Sequence, residues 1–161
     1  MEIKIFTTGG SVDKGYSTRE SAFVVMDPQV TEVLKDANVT FRYEVEPIFR
    51  KDSLEITEED REAIYRKVKE DPSSHILITH GTDTMALTGR TLSGITDKTV
   101  VLTGAMQPAA FKHSDAPFNI GFALAALQTL PPGVYLAMNG RIFDPQEVQK
   151  NVELDLFESG G

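Results

Sequence analysis

The sequence predicts an α/β domain in which helices cover both faces of a mainly parallel sheet of about five strands, a doubly wound three-layer α/β/α arrangement. Short apolar segments alternate with helical patterns along the chain, and this alternation is typical of parallel sheets. Three of the segments, HILIT, TVVLT and GVYLAM, are rich in apolar and β-branched residues, as are strands buried on both faces. The length of 161 residues suits one domain, taken here as residues 1–161, rather than two.

The first part of the chain predicts two strands and a helix. A strand at Ile3–Thr7 leads into a turn at Gly9–Gly10. A helix is predicted over Asp27–Ala37, because aspartate can cap a helix and the proline that follows fits its first turn. Alternating apolar and polar residues in VTFRYEVEPI, residues 39–48, then indicate a second strand.

The remainder alternates helices with the three apolar strands. Thr57 and Asp60 form a variant of the capping box in ITEEDREAIYRKVKED, so a helix is predicted there. Further helices are predicted at about residues 84–93 and 117–129, between the buried strands. This order of strands and helices is that of a Rossmann-like or flavodoxin-like domain.

Composition and charge disfavour several classes of partner. The net charge of −8 argues against nucleic acid and anionic membranes. The chain has no cysteine, and its three histidines do not follow a metal-ligand spacing. No segment approaches the roughly 18 apolar residues of a membrane span, and the start MEIKIFTT lacks the features of a signal peptide. We therefore expect a soluble cytoplasmic protein.

Four polar, glycine-bearing loops follow the predicted strands. They are TTGGS, HGTDTM, GAMQPAAFKHSDAPFN and NGRIFDPQEVQKN. Ligands bind to doubly wound sheets at the carboxyl ends of the strands, where these loops would lie together. The sequence therefore predicts a ligand site at this edge of the sheet.

Each motif also has a purely structural interpretation. TTGGS lacks the two common phosphate-loop patterns, which disfavours nucleotide binding, and Ser11 could be a turn residue. Thr82 and Asp83 could simply cap a helix. Lys150 is one of sixteen basic residues, and His80 could be a loop histidine with satisfied hydrogen bonds. Taken singly, the motifs leave these alternatives open.

The motifs together resemble one family. TTGGSV, ITHGTDTM, LTGAMQP, SDAPFN and MNGRIFDPQEVQKN occur in the order found in the amino-terminal domain of the bacterial type I/II L-asparaginases. That family also includes the amidotransferase subunit that acts on glutamyl-tRNA. HGTDTM matches the family pattern without change, whereas TTGGS stands against the usual T-G-G-T. The resemblance runs from residue 3 to about residue 158.

The resemblance implies a set of catalytic residues. Ser11 takes the place of the nucleophile, which is normally threonine. Tyr16 resembles the tyrosine of the flexible loop that closes over the substrate and contacts the nucleophile. Thr82 and Asp83 match the second hydroxyl and the acid of the HGTD motif, and Lys150 matches the lysine that partners the threonine. Hydrolysis through an acyl-enzyme needs such an activated hydroxyl, a base and oxyanion stabilisation.

The resemblance also implies the substrate and its contacts. Ser53 falls where a serine binds the substrate's α-carboxylate, and Thr82 and Asp83 belong to the same binding site. Leu54 stands where a second polar residue usually assists. The implied reaction is hydrolysis of the side-chain amide of L-asparagine, or of a related small amide, to the acid and ammonia. It requires neither a metal nor an organic cofactor.

Two departures from the family keep an alternative open. Ser11 lacks the methyl group that restricts threonine at χ1. The sequence also lacks the family's carboxy-terminal domain, so we expect a single domain whose site is shielded in a homodimer or higher homo-oligomer. The segments 105–116 and 142–148 are the expected contacts. A non-catalytic module that binds an amino acid or amide without turning it over is the alternative.

Overall fold

Across residues 1–160, the part of the chain that the computed structural model describes, the backbone forms a central six-stranded sheet and two separate two-stranded sheets. The strands are β1 Glu2–Gly9, β2 Lys14–Ser17, β3 Ala22–Val25, β4 Arg42–Lys51, β5 His75–Thr79, β6 Thr99–Thr103, β7 Gly133–Met138, β8 Arg141–Phe143, β9 Val148–Asn151 and β10 Leu156–Ser159. The central sheet has the order β4-β1-β5-β6-β7-β8. Its first five strands run parallel, and β8 pairs antiparallel with β7 at the edge.

The helices lie in one layer on each face of the sheet. They are α1 Val30–Asp36, α2 Glu58–Glu70, α3 Met85–Leu92 and α4 Ala116–Thr129. Helices α1 and α4 pack on one face, against side chains such as Ile5 and Leu77. Helices α2 and α3 pack on the other, against neighbours such as Phe6 and Ile78. Adjacent residues of a strand point to opposite faces of the sheet, and helices cover both faces, so the central strands carry apolar residues along their length. The predicted three-layer α/β fold is confirmed.

The helix starts confirm one sequence prediction and correct another. Thr57 caps α2 and forms the predicted capping box with Asp60. The helix predicted to begin at Asp27 begins instead at Val30, with no side-chain cap. Asp27 does not cap α1 because its carboxylate pairs with the guanidinium of Arg50 on the neighbouring strand. Strand β4 lies three residues later at both ends than predicted.

Three antiparallel pairs were not predicted. Strand β2 pairs with β3, β7 with β8, and β9 with β10. Asn139 and Gly140, with φ angles of 55° and 72°, form the two-residue turn before β8. Asn-Gly between strands is a strong hairpin signal, so this pair could have been found from the sequence.

The helices formed by residues 1–160 include none that is long and apolar enough to cross a bilayer.

Candidate active site

The glycine turn, defined as residues 9–13, follows the carboxyl end of β1. Gly9 and Gly10 have φ angles of 102° and 85°, a region that favours glycine. A Cβ atom on Gly10 would lie 2.4 Å from the Cα atom of Gly81, so glycine is required for the two loops to approach. Ser11 comes next, half-buried at the start of a short 3₁₀ helix. The turn therefore brings Ser11 close to the loop that follows β5.

The loop after β5 packs on Ser53 as tightly as on the glycine turn. A Cβ atom on Gly81 would lie 2.5 Å from the Cβ atom of Ser53. The backbone N–H of Asp83 donates to Ser53 Oγ at 3.2 Å, and Thr84 Oγ1 donates to the Ser53 carbonyl oxygen at 2.7 Å. Three chain segments that are distant in sequence thus meet at one edge of the sheet.

Lys150 joins this group from strand β9. Its ammonium donates to Thr82 Oγ1 and to Asp83 Oδ1, both at 2.8 Å. Thr82 is buried, whereas Asp83 is exposed. The cluster of Thr82, Asp83 and Lys150 expected from the sequence is therefore present, with Ser53 and the glycine turn beside it.

Helix α3 holds the segment that leads to Lys150. Arg90 donates to the carbonyl oxygens of Pro145 and Val148 at 2.9 and 3.0 Å. A Cβ atom on Gly89 would lie 2.9 Å from side-chain atoms of Leu136 and Pro145, so the helix and the segment are in close contact. Neither Arg90 nor Gly89 carries a motif, and sequence reasoning missed both.

Charges of both signs surround Ser53. Lys14 Nζ lies 2.7 Å from Asp52 Oδ2, next to Ser53 in the chain. The hydrogen bond from Lys14 lowers the pKa of the Asp52 carboxyl below its usual value, and the charge of Lys150 acts in the same direction. Together with Asp83, the site pairs two lysines with two carboxylates. Such a balanced site suits a zwitterionic ligand better than a strongly charged one.

Asp13, two residues after Ser11, is a buried carboxyl that sequence reasoning missed. It is only 2% exposed, and its Oδ1 accepts from the backbone N–H of Gln29 at 2.9 Å. Burial raises the pKa of Asp13 to about 7, against the smaller lowering effects of the Gln29 hydrogen bond and the charge of Arg50. The side chain ties the glycine turn to the start of α1.

His80 has a structural role. Its Nδ1 lies 2.7 Å from the carbonyl oxygen of Gly81, and its Nε2 lies 2.8 Å from Thr88 Oγ1. Because a carbonyl can only accept, Nδ1 carries the proton and Nε2 accepts from the threonine. Burial lowers the pKa of His80 to about 4, so the ring is neutral near pH 7. The structural alternative considered for this histidine is the one observed.

Asp115 fixes the loop between β6 and α4. Its carboxylate accepts from the backbone N–H groups of Met106 and Gln107, both at 2.9 Å, and from Asn119 Nδ2 at 3.0 Å. The Ala109 N–H in turn donates to the carbonyl oxygen of Val12 in the glycine turn, at 3.1 Å. This loop therefore forms a second wall beside Ser11.

Tyr16 lies on β2, in the hairpin that follows the glycine turn. Its ring is largely exposed and contacts Phe23 of β3 edge to face, with centroids 5.6 Å apart. The hairpin carries Tyr16 at the margin of the site rather than in its buried part.

The residues at this edge of the sheet carry hydroxyl, amine and carboxylate groups, and the loops that hold them contain glycines. Within residues 1–160, histidine, aspartate and glutamate side chains form no group of three that could hold a metal ion. A buried hydroxyl, an amine hydrogen-bonded to it and a second hydroxyl nearby can support nucleophilic attack and proton transfer.

Comparison with known proteins places this site in a family context. The family model described as asparaginase, N-terminal, matches residues 2–160. An L-asparaginase of Thermococcus kodakarensis is 33% identical to the chain, over 99% of the chain and 51% of the relative. The solved structure of the thermostable L-asparaginase from Thermococcus kodakarensis superposes with a TM-score of 0.85 at 32% identity, again over 99% and 51% of the two chains.

A glutaminase-asparaginase of Acinetobacter glutaminasificans shows the same pattern. It is 30% identical, over 94% of this chain and 50% of the relative. The chain thus spans about half the length of the curated relatives it matches.

Proposed function

This chain belongs to the asparaginase family, and from that premise we propose that it hydrolyses the side-chain amide of L-asparagine or of a related small amide. The observation that carries the proposal is the contact of Lys150 with Thr82 and Asp83, at 2.8 Å each, beside the glycine turn that bears Ser11. The products are the carboxylic acid and ammonia. The substrate class rests on the names of the relatives and on the charge balance of the site.

The proposed first step is attack of Ser11 Oγ on the amide carbon. The serine proton is taken up by the site's base, and a C–O bond forms as the carbonyl oxygen becomes an oxyanion. Collapse of this intermediate breaks the C–N bond, and the returned proton lets nitrogen leave as ammonia. Water then repeats the sequence on the ester that remains, releasing the acid and restoring Ser11.

Lys150 is the proposed base, and the hydroxyl on which it acts directly is that of Thr82, to which it is hydrogen-bonded. As the neutral amine, Lys150 can take a proton from this hydroxyl. Asp83 accepts a hydrogen bond from Lys150 at 2.8 Å and is itself exposed, so its carboxylate can also reach the ammonium of a substrate. We therefore assign Asp83 to orienting Lys150 in the empty site and to binding the ammonium of the substrate.

Ser53 and the loop after β5 provide the remaining contacts. Because Ser53 Oγ accepts from the Asp83 N–H, its own hydroxyl proton is directed elsewhere and can donate to a substrate carboxylate. Backbone N–H groups of this loop, at the start of α3, are the proposed oxyanion donors. Leu54 is 75% exposed and offers the carboxylate no hydrogen bond.

A homodimer is the proposed assembly. The site lies at the carboxyl ends of the parallel strands and is open to water. Water in the site weakens the electrostatic interactions on which hydrolysis depends. Phe111 and Ile142, in the two segments expected to make contact, are large apolar residues with substantial exposure. Light scattering tests the assembly, since an active, monodisperse monomer at tens of micromolar would show that no second copy is needed.

Ammonia release from asparagine, glutamine and simple amides tests the function. Ser11→Ala is expected to abolish turnover without changing the unfolding transition. Ser74→Ala is the matched control, because this exposed serine precedes β5 at the opposite edge of the sheet. Unchanged activity in Ser11→Ala would remove Ser11 from the mechanism. A wild-type protein that binds asparagine without releasing ammonia would favour the binding module.

A further inference from the structure

The β2–β3 hairpin needs support from outside itself to hold a fixed position. Each of its strands has four residues, with Tyr16 opposite Phe23 in the register. An isolated hairpin of two strands is at best marginally stable in water. The position of Tyr16 relative to Ser11 therefore depends on what the hairpin contacts.

The base of the hairpin is tied to the glycine turn and to the Ser53 segment. The Met26 N–H donates to the carbonyl oxygen of Asp13 at 2.8 Å. Lys14 forms its ion pair with Asp52 on one side of the site. These contacts fix where the hairpin begins and ends but leave its outer part, with Tyr16 and Phe23, to be held by something else.

A row of three aromatic rings supplies that contact. The Tyr16 and Phe23 rings meet edge to face at 5.6 Å, and the Phe23 and Phe111 rings do so at 5.7 Å. The three rings are 55%, 56% and 40% exposed. The edge-to-face geometry is the favoured one for such pairs.

Phe111 is itself anchored to the catalytic edge. Its N–H donates to the carbonyl oxygen of Pro108 at 3.0 Å, which closes a turn. Ser114 Oγ donates to the Gln107 carbonyl oxygen at 2.9 Å. In the same loop, the Ala109 N–H donates to the carbonyl oxygen of Val12, the residue after Ser11. Phe111 is thus a fixed point against which the hairpin can rest.

We propose that Phe111 is a positioning residue that, through Phe23, holds Tyr16 in its place at the margin of the site. The ring row bridges the two walls of the site, with Lys14 fixing the hairpin to one wall and Phe111 to the other. The importance of this position for turnover rests on the proposed function. The placement of the hairpin itself does not, and it can be measured independently.

The activity test compares three variants. Phe111→Ala is expected to lower kcat about fivefold with little change in KM for asparagine, since one edge-to-face pair contributes a free energy equivalent to roughly that factor. Phe111→Tyr keeps the ring and is expected to retain wild-type kcat. Phe118→Ala is the matched control, because Phe118 is an exposed phenylalanine that stacks on Phe122 instead. Equal kcat in Phe111→Ala and the wild type would overturn the proposal.

Fluorescence tests the placement without turnover. The chain has no tryptophan, so Phe23→Trp introduces a single reporter in the hairpin. Adding Phe111→Ala is expected to shift its emission to the red and to increase quenching by acrylamide, whereas adding Phe118→Ala is expected to change neither. Identical quenching with and without the Phe111 ring would overturn the proposal. A protein inactive on every amide, whose reporter still responds to Phe111→Ala, would refute the proposed function and retain the positioning role.

Discussion

Replacing Asp13 by asparagine should change how stability depends on pH. The carboxyl is buried two residues after Ser11 and accepts one hydrogen bond, from the Gln29 N–H. Asparagine has nearly the same shape and keeps an oxygen for that bond, but it cannot ionise. Asp13→Asn therefore removes the cost of a buried charge while preserving the contact that ties the glycine turn to α1.

The magnitude follows from the pKa. Burial raises the pKa of Asp13 from 3.8 to about 7, so the folded protein binds this proton more tightly than the unfolded chain does. The stabilisation by the protonated carboxyl is complete below about pH 4 and is lost as the pH rises to about 7. The difference between a pKa of 3.8 and one of about 7 corresponds to at most about 4 kcal/mol, since a tenfold change in proton affinity is worth about 1.36 kcal/mol.

Urea unfolding of wild type and Asp13→Asn at about pH 5 and about pH 8 measures the effect. His80 titrates in the opposite sense, because its lowered pKa gives stability that is lost as the pH falls from 6.5 to about 4. It is present in both proteins and cancels in their difference. The free energy of unfolding of Asp13→Asn, minus that of the wild type, should increase by about 3 kcal/mol from about pH 5 to about pH 8. A difference that is independent of pH, or that shrinks as pH rises, would refute the reasoning.

Further substitutions test the site and the fold. Lys150→Met should lower amidase activity by orders of magnitude in steady-state assays, whereas replacing Lys35, an exposed lysine of α1, by methionine should not. A rate for Lys150→Met comparable to that of the wild type would exclude Lys150 as the base. Gly121→Ala should raise the free energy of unfolding by about 1 kcal/mol, because no atom lies within 4 Å of the added Cβ in α4; a lower urea midpoint would contradict this. Thr57→Ala should lower that free energy by about 1 kcal/mol, and an unchanged midpoint would show that the capping box contributes nothing.

The central strands and the main site cluster could be predicted from the sequence because their signals are local. Apolar, β-branched segments identified β5, β6 and β7, and the loops after parallel strands necessarily share one edge. The contact of Lys150 with Thr82 followed from motif order and the resemblance to a family, and the structure shows the two side chains hydrogen-bonded.

Other features depend on tertiary contacts that no local pattern records. Asp13 has the sequence appearance of an ordinary turn acid, and only packing makes it a buried carboxyl. The β2–β3 hairpin is held by Lys14 and by a ring from a distant loop, so its short strands carry little signal of their own. Asp27 could have capped α1 but pairs with Arg50 instead, which moves the helix start.

Trapping the covalent intermediate tests the central proposal most directly. Wild-type protein mixed with asparagine and quenched in acid during turnover should gain the mass of one aspartyl group, and peptide mapping should place it on Ser11. Lys150→Met, treated in the same way, should show much slower formation of the adduct. Ammonia release without any adduct on Ser11, or with an adduct on another residue, would contradict the account.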